Sequence, residues 1–124
     1  MREYIVGVLE SAGFSSVTTA LDGIAAWRRF EQGDKFDLVI CDWIMPGMDG
    51  LDVLKNIRDG RSAIPFILVT VRDTEEAVKR ATDRGVTAFL SKPFKPEQLI
   101  AEVFRVLKDS SVLEHSTDAG VWEI

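Results

Sequence analysis

Three residues of different chemistry each close a short apolar run. Asp42 ends Phe36-Asp37-Leu38-Val39-Ile40-Cys41, Thr70 ends Pro65-Phe66-Ile67-Leu68-Val69, and Lys92 follows Thr87-Ala88-Phe89-Leu90-Ser91. Such runs predict strands buried on both faces. After Asp42 the chain breaks into a loop punctuated by Pro46, Gly47 and Gly50. Open α/β sheets place ligands and chemistry at the carboxyl ends of their strands. Neighbouring strands lie roughly 4.8 Å apart, so a carboxylate, a hydroxyl and an ammonium at successive ends can converge on one small anion. In that arrangement Asp42 is a nucleophile toward a phosphoryl group, forming an acyl phosphate. Thr70 donates a hydrogen bond to a phosphoryl oxygen and Lys92 neutralises its charge. Each residue alone has a plainer explanation: a strand-ending Asp or Thr forms turns or caps a helix, and a lysine is usually a surface charge. Their joint placement favours a site.

The elements that must hold these residues alternate along the chain. Arg2 to Ala12 carries Ile5, Val8, Leu9 and Ala12 at helical spacing, closed by Gly13. Phe14 to Ala20 reads as a strand around Val17, Thr18 and Thr19. Asp22 caps a helix to Gln32, with Ile24, Ala26, Trp27 and Phe30 inward and Gly33 beyond it. Leu51 to Arg58 is a helix facing inward through Leu51, Leu54 and Ile57. Thr74 to Arg84 is a helix with a thin stripe, Ala77, Val78 and Ala81, which suits loose docking, a partner-facing surface or plain solvation. Pro96 opens a last helix to Leu107 with Leu99, Val103, Val106 and Leu107 inward. This alternation implies a parallel sheet covered by helices on both faces. Residues 1–107 form the domain. Residues 108–124 are a polar tail with two short candidate strands, Val112-Leu113 and Val121-Trp122, the plain alternative being a disordered end.

The 124 residues suffice for one domain with one core. A net charge of -5 disfavours nucleic acid and anionic membrane surfaces as partners. The single cysteine, Cys41, excludes an internal disulfide and fits a reducing, cytoplasmic setting. It lies in the apolar run and reads as a small buried hydrophobe. One histidine, His115, cannot build a histidine-rich metal site. No apolar run reaches membrane-spanning length, and no signal peptide is expected.

These motifs resemble those of a response regulator receiver domain of the chemotaxis-regulator type. The matching segments are Asp37–Asp42, Met45–Gly50, Ile67–Thr70 and Phe89–Phe94, together with Met1 to Phe14 and Leu21-Asp22-Gly23 with Ala26. The likeness covers Met1 to about Leu107. It implies a flavodoxin-like (CheY-like) doubly wound parallel sheet and a two-component signalling switch rather than an enzyme. It implies that Asp42 accepts a phosphoryl group from a histidine kinase or phosphotransfer protein, beside a Mg²⁺ held by Asp42 and the backbone carbonyl of Ile44. Thr70 is then the switch hydroxyl, Phe89 the switch aromatic and Lys92 the phosphoryl charge partner, with Lys92-Pro93 expected cis. Ile44 and Arg72 occupy positions that tune phosphoryl lifetime. Thr74–Arg84, Thr87–Leu90 and Pro96–Leu107 become the surface read by a downstream signalling protein.

The sequence departs from the family at its start. Receivers begin with a central strand ending in an acidic pair that holds the Mg²⁺, whereas Met1 already stands where the first helix begins. An empty central slot strands backbone groups at about 1–3 kcal/mol each, against a total stability of about 5–15 kcal/mol. Three solutions are open: the tail fills the slot through Ser111–His115 or Gly120–Ile124; a second copy supplies a segment by swapping, giving a homodimer; or the fold is deformed. Both tail segments are poor central strands, because Glu114 or Glu123 interrupts them. Without the acidic pair the metal site is incomplete, although Glu114, Asp118 or Glu123 is a substitute acid if the tail enters. The alternative function is a degenerate pseudo-receiver, a phosphorylation-independent binding or dimerisation module. A flavin-binding protein of similar topology fits less well, since no loop is rich in Ser/Thr and Gly.

Overall fold

A computed structural model describes residues 2–14, 17–19, 23–31, 37–44, 48–60, 63–71, 73–109 and 121–123. In chain order the elements are α1 (Arg2–Ser11), β1 (Val17–Thr19), α2 (Gly23–Glu31), β2 (Leu38–Asp42) and α3 (Gly50–Asp59). They continue with β3 (Phe66–Thr70), α4 (Glu75–Asp83), β4 (Ala88–Ser91), α5 (Pro96–Asp109) and β5 (Val121–Glu123). The five strands form one parallel sheet ordered β1-β5-β2-β3-β4.

Strand alternation sorts the apolar side chains into two layers. Leu38 and Ile40 of β2, Ile67 and Val69 of β3, and Ala88 and Leu90 of β4 pack on Ile5 and Leu9 of α1 and on Leu99, Val103, Val106 and Leu107 of α5. Val39 and Cys41 with Phe66 and Leu68 pack the opposite way, on Leu51, Val53, Leu54 and Ile57 of α3 and on Ala77 and Ala81 of α4. The helices thus cover both faces, and the middle strands are apolar on both sides because neither side sees water.

The vacancy foreseen beside β2 is filled by the chain itself. Val121–Glu123 lies between β1 and β2, parallel to both: Val121 pairs with Val17 and Leu38, Trp122 with Thr18 and Val39, and Glu123 with Thr19 and Ile40. Of the two candidate segments this is the later one; Ser111–His115 lies outside the described residues. A strand of three residues with a glutamate is a weak strand former, but the slot offers hydrogen-bonding partners on both edges. That reward outweighs the local preference.

Element ends differ modestly from the sequence expectation. α5 runs on to Asp109, β1 among the described residues is Val17–Thr19, and β4 is displaced so that it includes Ser91. The expected cap Asp22, the loop residues 45–47 and Arg72 lie outside the described residues. α3 starts with a reciprocal cap. Asp49 Oδ1 accepts from the Asp52 N–H at 2.9 Å, and Asp52 Oδ2 accepts from the Asp49 N–H at 3.3 Å.

Candidate functional site

β2 delivers Asp42 to the carboxyl edge of the sheet. Ile40 and Cys41 before it are fully buried, while the Asp42 side chain keeps 27% exposure. The strand end is fixed from two sides. The Trp43 N–H donates to the Val69 carbonyl at 3.0 Å, and the Gly50 N–H donates to the Trp43 carbonyl at 2.8 Å. The first turn of α3 approaches so closely that a Cβ on Gly50 would overlap the Asp42 carbonyl oxygen. Gly50 therefore has a steric reason to lack a side chain.

Lys92 comes to Asp42 from two strands away. Its Nζ donates to Asp42 Oδ2 at 2.5 Å, and its backbone N–H donates to the Thr70 carbonyl at 2.8 Å. The Lys92-Pro93 bond is cis, as expected. The loop beyond is held by α1: the Tyr4 ring meets the buried Phe94 at 5.8 Å between centroids, and the Tyr4 hydroxyl donates to the Phe94 carbonyl at 3.4 Å. The other carboxylate oxygen, Asp42 Oδ1, accepts from the Ile44 N–H at 3.2 Å. The Ile44 side chain is 58% exposed and brings no polar group to the site.

Thr70 lies between them on β3 and is almost fully buried. It has the strand parity of Phe66 and Leu68, which face α3 and α4, whereas Asp42 and Lys92 have the parity of residues that face α1 and α5. The carboxylate and ammonium meet on one face of the edge; by parity the Thr70 side chain leaves its strand toward the other. Phe89 is partly buried and meets the Trp43 indole edge-on, with centroids 6.4 Å apart at 85°. Arg80 of α4 lies over the same indole, 5.6 Å from its centroid.

Trp43 and Arg80 escaped the sequence reading. The signal for Trp43 was its parity: it continues Val39 and Cys41 toward α3 and α4. The signal for Arg80 was its helical spacing beside Ala77 and Ala81, the inward positions of α4. Gly50 read only as a loop breaker.

The donors do not suit Mg²⁺, which wants near-octahedral oxygen ligands. Among the described residues no three His, Cys, Asp or Glu side chains gather as a metal cluster. Both Asp42 oxygens already have hydrogen-bond partners. Glu123 pairs with Ile40, two residues short of Asp42 and so about 7 Å below it along the sheet. Glu114 and Asp118 lie outside the described residues.

The profile of the family described as response regulator receiver domain matches residues 1–104. The chain belongs to that family. As a receiver domain it is similar to chemotaxis protein CheY-3 of Vibrio cholerae, 34% identical over 110 residues that cover 87% of this chain and 84% of that protein. Chemotaxis protein CheY1 of Helicobacter pylori is 36% identical over 101 residues, covering 80% and 82%. Among solved structures, the Francisella response regulator 1452 receiver domain superposes with a TM-score of 0.81 at 28% identity, over 88% of each chain. Vibrio cholerae CheY4 superposes at 0.77 with 33% identity, over 86% of this chain and 88% of that one. This receiver is thus a flavodoxin-like, two-component signalling domain. Receiver domains generally bind Mg²⁺ and interact with histidine kinases or phosphotransfer proteins and with downstream effectors. No helix among the described residues is long and apolar enough to cross a membrane.

Proposed function

We propose that this receiver is a phosphoryl-accepting switch, with Asp42 as the acceptor. The observation that carries the reading is the pairing of the partly exposed Asp42 carboxylate with the Lys92 ammonium at a sheet edge. An Asp42 oxygen attacks the phosphorus of a phosphohistidine on a kinase or phosphotransfer protein. The new O–P bond forms as the P–N bond breaks, and the electron pair leaves with the imidazole. Lys92 stays beside the acyl phosphate and offsets its added charge. Thr70, one strand away, turns its hydroxyl toward a phosphoryl oxygen, and Phe89 repacks in response. The output is a changed surface on α4, β4 and α5 for a downstream protein, not turnover of a small substrate. The setting is cytoplasmic, and neither nucleic acid nor membrane is a partner. At high concentration, exchange of β5 between two copies gives a homodimer.

With so few oxygen donors on the described residues, Mg²⁺ binds weakly and labelling is slow. Apolar Ile44 positions no hydrolytic water, so the acyl phosphate, once formed, persists. The same donor shortage favours a second reading, a pseudo-receiver that binds partners without phosphorylation.

Acetyl phosphate with Mg²⁺, followed by intact mass, separates the two. Gain of one phosphoryl group that is lost in Asp42→Asn supports the switch. No gain after prolonged incubation leaves the pseudo-receiver.

A further inference from the structure

α4 is poorly anchored by apolar burial. Its buried residues are two alanines, Ala77 and Ala81, while Glu75, Glu76, Val78, Lys79, Thr82 and Asp83 are exposed. Two methyl groups remove little surface from water. Against this thin seat stands one large contact. Arg80 is itself exposed, yet its guanidinium lies over the Trp43 indole, 5.6 Å from the ring centroid, and Trp43 is only 2% exposed. Trp43 is covalently next to Asp42, hydrogen-bonded to β3 and α3 through its backbone, and touched edge-on by Phe89 of β4. Arg80 also borders a cavity of about 300 Å³ shared with Val71, Asp73 and Thr74, in the loop just after Thr70. One side chain of α4 therefore touches the residue beside Asp42 and lines the same cavity as the segment after Thr70.

We propose that Arg80 is the positioning residue that seats α4 on Trp43, so that a change at Asp42 reaches α4 through the Arg80–Trp43 stack. The planar guanidinium suits this task, because it stacks on an indole face while its edge stays hydrated. The proposal deepens the switch reading above by assigning the link between acceptor and output helix.

The test uses the full chain and no phosphodonor, so its failure is separate from failure of phosphoryl acceptance. Hydrogen exchange is followed in α4, with α3 as internal reference, for the native chain, Arg80→Ala, Arg80→Lys, Asp42→Asn and the Asp42→Asn/Arg80→Ala pair. α4 is expected to exchange about two- to fivefold faster in Arg80→Ala, as loss of an exposed cation–π contact implies. Arg80→Lys restores part of the protection, and α3 is unchanged. Asp42→Asn alters α4 exchange in the native background but not beside Arg80→Ala. Unchanged α4 exchange in Arg80→Ala, equal acceleration of α3 and α4, or simple additivity of the two substitutions overturns the proposal.

Discussion

Lys92 Nζ and Asp42 Oδ2 meet at 2.5 Å although 50 residues separate them in sequence. The two strands that carry them are not neighbours, since β3 lies between. The Lys92 backbone N–H is bonded to Thr70 on that intervening strand, so the ammonium is placed by the same ladder that aligns the three strand ends.

Replacing Lys92 with Met removes the ion-pair partner of a partly shielded carboxylate. Unfolding free energy is expected to fall by about 1–3 kcal/mol, read from urea denaturation. Asp42→Asn keeps one acceptor oxygen, which can serve Lys92 or the Ile44 N–H but not both, and costs less. A Lys92→Met chain as stable as the native one contradicts the geometry.

Removing residues 110–124 leaves α5 whole and takes away β5. Both edges of the vacated slot lose their partners, at about 1–3 kcal/mol per stranded buried group. Cooperative unfolding is expected to disappear or shift to much lower urea, and a synthetic peptide of residues 110–124 restores part of it. Unchanged stability after truncation shows that β5 is dispensable.

Gly50→Ala forces a methyl group into the Asp42 carbonyl and the side chain of Leu68. Overpacking of this kind costs about 1–3 kcal/mol. The strand end must shift to relieve it, so acetyl phosphate labelling of Asp42 slows more than it does in an equally destabilised variant remote from the site. Equal slowing argues against a role for α3 in fixing Asp42.

Thr87 does structural work at the opposite edge. Its Oγ1 accepts from the Phe66 N–H at 3.0 Å and from Arg58 at 3.4 Å, while Arg58 Nε donates to the Gly85 carbonyl at 3.0 Å. Burial holds the Arg58 pKa below its usual value by disfavouring the charged form. Its remaining hydrogen bonds therefore matter. Thr87→Val is expected to lower stability by about 1–2 kcal/mol with no effect on Asp42 labelling, measured by urea denaturation and intact mass.

The alternation of elements and the three strand ends were legible in the sequence because apolar runs and their polar terminators are local signals. Asp42 and Lys92 stand where that reading put them. The opposite parity of Thr70 was equally written in the alternation of Phe66, Leu68 and Thr70, but strand ends alone do not announce a face. The tail was harder. Val121 and Trp122 suit a strand, but the segment is short and carries Glu123; only the missing partner beside β2 gave it a place. The Arg80–Trp43 contact joins a helix to a strand end across the fold, and no pattern within either element specifies it.

The position of β5 also sets the order in which the fold can be completed. Val121 must find Val17 and Leu38 at once, so one interior strand of the sheet, β5, is the last of its strands to leave the ribosome. Until then β1 and β2 face each other across an open gap, with two unpaired edges available to any passing strand. Contacts so distant in sequence also slow folding. For this receiver a competent Asp42 edge is therefore a late event in the life of the nascent chain, and chaperone demand should concentrate in that interval.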